Sequence, residues 1–232
     1  MKLKTIPLAA LAAITIAIPA QAATLVTGTE IGIDFGPTAP TNNMNQVNNP
    51  SPINGSIAAG SLISTTTVTV DGVGFSWASS SDWFANNDAD EALTGQPTVF
   101  NSSNLTDWYG ISNGATPNTP GVITLTLTGL DNALTYNLVV GAAFTAAPGI
   151  ANVIWGADSQ SATTDSTVGA NAFVTLSGLH TDGFGNLVIT GTGTESRADI
   201  AVVSALQLTA IPEPSAALLS GLGMLGLLRR RR

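Results

Sequence analysis

Apolar and polar residues alternate in short runs through the middle of the chain. Ile31, Ile33 and Phe35 alternate with Gly32 and Asp34, and Thr66, Val68 and Val70 with Thr67 and Thr69. Ile123, Leu125 and Leu127 alternate with Thr124, Thr126 and Thr128, and Tyr136, Leu138, Val140 and Ala142 form another one-sided set. Gly72–Trp77 continues after an Asp71-Gly72 turn, and Asn152–Trp155, Ala172–Leu176, Asn186–Thr190 and Ile200–Thr209 complete the strand candidates. Successive strand side chains point to opposite faces. A period of two, rich in β-branched residues and punctuated by Gly, Asp and Asn, therefore predicts half-buried antiparallel strands. Residues 23–210 carry no capped helical period. Each such sheet has one apolar face, and two sheets bury both, so the pattern predicts one all-β, antiparallel sandwich domain.

Two segments break the pattern. Pro37–Ser61 is rich in Asn, Pro, Thr and Gly without periodicity and reads as a long loop. Ser79–Pro120 is polar and aromatic, and its Trp83, Phe84, Phe100, Trp108 and Tyr109 predict an ordered excursion over the sandwich.

The chain ends follow a different logic. Lys2 and Lys4 precede an apolar run from Ile6 to Ile18 and a closing Ala20-Gln21-Ala22, the three regions of a secretory signal helix cut after Ala22. At the other end, Pro212-Glu213-Pro214 precedes an apolar, Gly-containing segment, Ala216–Leu228, and then Arg229, Arg230, Arg231 and Arg232. Thirteen residues make a helix of about 20 Å against a ~30 Å hydrocarbon core. Such a helix suits a transient membrane handle, with the four arginines as a stop on the cytoplasmic side. The divisions are residues 1–22, 23–210 and 211–232.

The Pro-Glu-Pro motif, apolar helix and arginine cluster, in that order, closely resemble the PEP-CTERM sorting signal of Gram-negative bacteria. The resemblance implies processing near Pro212, Glu213 and Pro214 by an exosortase-type membrane protease. It also implies passage through the inner membrane to the cell surface or extracellular matrix. A second resemblance covers shorter pieces. Ile31-Gly-Ile-Asp-Phe-Gly looks like the opening strand, Gly129-Leu130 through Tyr136-Asn-Leu-Val-Val like the central hairpin, and Thr181-Asp-Gly-Phe-Gly-Asn-Leu-Val-Ile-Thr with Ala205-Leu-Gln-Leu like the closing strands of jelly-roll domains. Those domains are similar to galactose-binding-like and malectin-like sandwiches, some of which bind sugars. Some hold calcium near the opening and closing strands, where Asp34 is the carboxylate in this chain.

Charge narrows the partners. The chain has seven basic and fifteen acidic residues; residues 23–210 keep Arg197 alone against fourteen carboxylates, a net charge of −13. Such a body repels nucleic acid and anionic headgroups and has no basic cluster to grip phosphate. With no cysteine and one histidine, His180, disulfides, thiolate chemistry and any site needing two histidines of one chain are excluded. There is no Gly-x-Ser-x-Gly elbow, and His180 lies in a turn-like Leu179-His-Thr-Asp-Gly.

Three candidate chemistries remain. Asp88, Asp90 and Glu91, beside Asp82, Asn86 and Asn87, could give calcium several oxygens but lack the EF-hand spacing. Trp83, Trp108 and Tyr109 could stack on a sugar face, whereas Trp77 and Trp155 read as caps on the core. Two carboxylates could also serve a glycosidase, though no pair is singled out. The sequence thus reads first as a non-catalytic exported surface or matrix protein. It reads second as a polysaccharide-binding module, with or without calcium, and third as a glycoside-active enzyme.

Overall fold

The computed structural model describes residues 25–37, 39–40, 43–48, 54–63, 70–86, 100, 108–112, 119–142, 152–164, 172–194 and 200–212. These hold strands β1 (Glu30–Phe35), β2 (Asn45–Val47), β3 (Asn54–Ile57), β4 (Gly74–Ser79), β5 (Trp83–Asn86), β6 (Trp108–Ser112) and β7 (Val122–Thr128). They continue with β8 (Leu134–Gly141), β9 (Val153–Ala157), β10 (Gln160–Thr164), β11 (Phe173–Leu179), β12 (Leu187–Gly193), β13 (Ile200–Val203) and β14 (Ala205–Pro212). No α-helix occurs among the described residues, and no helix there is long and apolar enough to cross a membrane. The all-β expectation therefore holds over them. The signal segment 1–22 and the segment from Glu213 through Arg229–Arg232 lie outside the described residues.

One sheet has the order β11-β8-β14-β1-β2, a second β10-β9-β12-β7-β4-β3, and a third β13-β6-β5. The alternation read from the sequence is what sets the faces. Ile123, Leu125 and Leu127 of β7 are buried while Val122, Thr124, Thr126 and Thr128 are half-buried. On β12, Leu187 and Ile189 are buried while Val188 and Thr190 are exposed. These inward residues share one core with Ile31, Ile33, Leu138, Leu206 and Leu208 of the five-stranded sheet. Phe35 meets Phe75 edge-on across it, with centroids 5.9 Å apart.

The outer face of the five-stranded sheet is covered as well. Met44 and Phe100 pack with Ala205, Val139 and Phe173 in a second cluster, and Phe100 stacks on Phe173 at 5.8 Å. This explains why Ala205–Leu208 is buried at four consecutive positions rather than alternate ones.

Three sequence expectations are corrected here. Pro37–Ser61 holds β2 and β3 rather than a single loop. β2 has no apolar alternation because a side chain secures it. Asn45 Nδ2 donates to the Gly32 and Ile63 carbonyls at 2.8 Å each, and its Oδ1 accepts the Ile63 N–H at 2.9 Å. β2 also runs parallel to β1, an exception to the antiparallel pattern. Lastly, Ile200–Thr209 is two strands. The chain leaves the third sheet and joins the five-stranded one at buried Ser204, whose carbonyl accepts the Phe35 N–H at 2.8 Å. Of the Thr66–Val70 candidate, residues 66–69 lie outside the described residues.

Candidate functional site

Of the aromatic residues singled out in Ser79–Pro120, Trp83, Phe84, Trp108 and Tyr109 lie on β5 and β6 of the third sheet. Trp83 pairs with Ile111 between β5 and β6, and β6 pairs in turn with β13. Trp108 and Tyr109 are each only 4% exposed, and Trp83 is half-buried against the same core. Phe84 meets Trp108 edge-on at 5.3 Å, and the Tyr109 hydroxyl donates to the Asn48 carbonyl. As placed, Trp108 and Tyr109 present no open ring face to a ligand. Asp88, Asp90 and Glu91 lie outside the described residues. Among the described residues, no three His, Asp or Glu side chains gather as a metal site. Asp34 is buried on β1 beside Ala205.

Exposed, ordered chemistry collects at one pole of the molecule. β7, β9 and β11 end there, β8, β10 and β12 begin there, β1 begins there and β14 ends there. Carboxylates staple its loops. Asp182 Oδ1 accepts the backbone N–H of Phe184 at 2.8 Å and of Asn186 at 3.0 Å, while Oδ2 accepts the Asn186 amide at 2.9 Å. The Asn186 amide, with the Asn186 and Phe184 backbone N–H groups, lowers the Asp182 pKa below the ordinary carboxylate value. Asp158 Oδ2 accepts the His180 backbone N–H at 2.7 Å and faces its Nδ1 at 3.0 Å. The backbone N–H, helped by the ring, lowers this pKa too. Asp131 Oδ1 accepts the Ala133 N–H at 2.8 Å, and the Tyr136 hydroxyl donates to the Asp131 carbonyl at 2.9 Å. Burial pushes the Tyr136 phenol up to about 12, and the Asp131 charge acts in the same direction.

The loops are also tied to one another. Asn132 Nδ2 donates to the Gly183 carbonyl at 2.8 Å, the Leu130 N–H donates to the Gly185 carbonyl at 2.9 Å, and the Thr181 hydroxyl donates to Asn132 Oδ1. Gln160 bridges the two large sheets by donating to the Ser177 carbonyl at 2.7 Å. Beside it runs an open groove of about 360 Å³ lined by Gly156, Ala157, Asp158, Ser159, Gln160, Val188 and Thr190.

At the apex of the Asp182–Asn186 loop, Phe184 is 87% exposed. The sequence reading passed over this residue. Its signal is an aromatic between two glycines inside an Asp/Asn turn, Asp182-Gly-Phe-Gly-Asn186. The same pole carries the exit toward the C-terminus. β14 runs past Ala210 to Pro212, which pairs with Leu134.

A family model for the PEP-CTERM protein-sorting motif matches residues 210–232. The resemblance to the PEP-CTERM sorting signal is thereby borne out. The motif is the sorting signal of exosortase-processed proteins exported to the surface of Gram-negative-type bacteria. No curated protein matches the chain. Among solved structures, the ANX2 ectodomain from Arabidopsis thaliana is similar at 10% identity and a TM-score of 0.47, covering 81% of this chain and 50% of its own. The chain thus spans about half the length of that ectodomain. A family 35 carbohydrate binding module from Clostridium thermocellum is similar at 15% identity and a TM-score of 0.30, covering 55% of this chain and 91% of its own.

Proposed function

We propose that the protein is an exported, non-catalytic cell-surface or extracellular-matrix protein with a jelly-roll-like body. Its tail would hold it transiently in the inner membrane until an exosortase cuts near Pro212-Glu213-Pro214. The observation that carries this reading is the sorting motif at residues 210–232, which begins within the last strand of the fold. An apolar Ala216–Leu228 segment too short for a secure span, followed by four arginines, supports temporary rather than permanent anchorage.

The test is expression in a host with an active exosortase. The native chain is expected to lose its tail and leave the membrane fraction. A Glu213→Ala, Pro214→Ala double variant, which keeps Pro212 in β14, is expected to remain almost entirely full-length and membrane-bound. Normal processing and release of that variant would overturn the reading.

The groove beside Gln160 favours a second reading, a polysaccharide-binding module. The groove is shallow, open and lined by hydroxyl, amide and carboxylate groups that could hydrogen-bond a neutral sugar chain. On a glycan array, the processed protein is then expected to retain defined polysaccharides, with a Gln160→Ala, Thr190→Ala variant losing at least tenfold in retention. Loss with a chelator would make the binding calcium-dependent and direct mutagenesis to Asp88, Asp90 and Glu91. No retention under either condition leaves the structural reading in place.

A further inference from the structure

The sorting motif and the folded domain meet without a linker, and that restricts where the domain can sit. Pro212 is in register with Leu134, and Ala210 is held by two more backbone bonds. Its N–H donates to the Thr29 carbonyl, and its own carbonyl accepts the Gly28 N–H. The apolar run begins at Ala216. Those four residue steps span at most ~14 Å in any conformation. A headgroup layer is about 5–7 Å deep on each side of a ~30 Å core. A tail that enters as the helix expected from its sequence, about 20 Å long, with the arginines at the far side, would draw Ala216 to the near hydrocarbon boundary or below it. The end of β14 is then within reach of the lipid headgroups. The start of β14, seven residues away, is about 23 Å further along the strand.

The surface around Pro212 is suited to that position. Phe184 lies beside the Asn132–Gly183 bond and stands out at 87% exposure, and Val26, next to the Gly28–Ala210 bond, is 68% exposed. At the same pole the carboxylates of Asp131 and Asp182 accept hydrogen bonds from their own loops, and that of Asp158 accepts the His180 N–H of a neighbouring loop. We infer that, while the tail is uncut, this pole is docked on the bilayer surface, with Phe184 and Val26 inserted among the lipid headgroups. This rests on the proposal that the tail enters the membrane.

The docking depends on the tether. A body of charge −13 is repelled by an anionic leaflet, with a range set by a Debye length of about 8 Å at physiological salt. A short tether holds the pole inside that distance, at a high effective concentration. Cutting the tail removes the tether, and the same charge favours departure.

The chain has no native cysteine, so single reporters are clean. Full-length, uncut protein carrying Phe184→Cys is labelled with an environment-sensitive fluorophore. It is then reconstituted in vesicles of phosphatidylethanolamine and phosphatidylglycerol bearing a headgroup spin-label quencher. Thr119→Cys, exposed at the opposite pole ahead of β7, is the reference, and Ala133→Cys is a second reporter at the docked pole. Quenching is expected to be several-fold greater at 184 and 133 than at 119. A twenty-residue Gly/Ser spacer after Pro214, reaching roughly 25 Å, is expected to abolish the difference while the protein still floats with the vesicles. Floating protein quenched equally at both poles overturns the docking and leaves the tail reading intact. Protein that does not float overturns the tail reading, and the docking with it.

Discussion

Trp155→Ala is expected to destabilise the folded protein by about 3–5 kcal/mol, against the roughly 5–15 kcal/mol that holds a typical domain together. Trp155 sits mid-strand on β9, fully buried, with β10 on one side and β12 on the other. Its register partner is Gly191, and a Cβ there would lie 2.6 Å from the indole ring. The ring therefore occupies the volume that the glycine leaves open, and truncation empties a site the backbone cannot collapse into. The indole Nε1–H has no hydrogen-bond partner among the described residues. Trp155→Phe removes that unpaired donor along with part of the ring, so it is expected to cost much less than Trp155→Ala. Urea unfolding monitored by circular dichroism measures both, and equal losses would mean that the ring's volume is not what the sheet depends on.

Gly129→Ala is expected to be the other severe substitution, costing more than about 3 kcal/mol and loosening the loop pole. Gly129 has φ +74°, where an L-residue pays about 1–2 kcal/mol. Its Cβ would also fall 2.1 Å from the Gly72 carbonyl oxygen, so the β7–β8 turn and the turn before β4 would have to separate. The next residue, Leu130, donates to the Gly185 carbonyl, so the shift reaches the loop that presents Phe184. Gly183→Ala is the control, with φ +83° and nothing within 4 Å of the added methyl. It is expected to lose only the conformational part. Midpoints from urea unfolding compare the two, and a Gly129→Ala protein no less stable than Gly183→Ala would refute the close-approach argument. Faster hydrogen exchange at Phe184 and Asn186 in Gly129→Ala alone would show the coupling between turns.

The candidate site was legible in the sequence to very different degrees. The sorting tail is a linear motif, read by a processing enzyme as a sequence, so Pro212-Glu213-Pro214 could be found without a fold. Strands with one wet and one dry face, such as Val122–Thr128 and Leu187–Gly193, carry the period of two in their own residues. β2, β5 and β6 carry no such record. β2 is secured by the Asn45 amide, while β5 and β6 join a sheet completed by β13 from the far end of the chain. Aromatic residues were identified as a class, but not by exposure. Trp108 and Tyr109 lie in a polar stretch and are buried, while Phe184 lies in a turn and is exposed.

By itself, then, the sequence determined the strand-forming body, its acidity, the absence of cysteine chemistry and the sorting tail, because each depends on residue type or local spacing. Tertiary structure alone decided which aromatic faces solvent and that the last strand ends at the pole that carries Phe184. Exposure depends on what other segments cover, and proximity depends on the register of strands far apart in the chain.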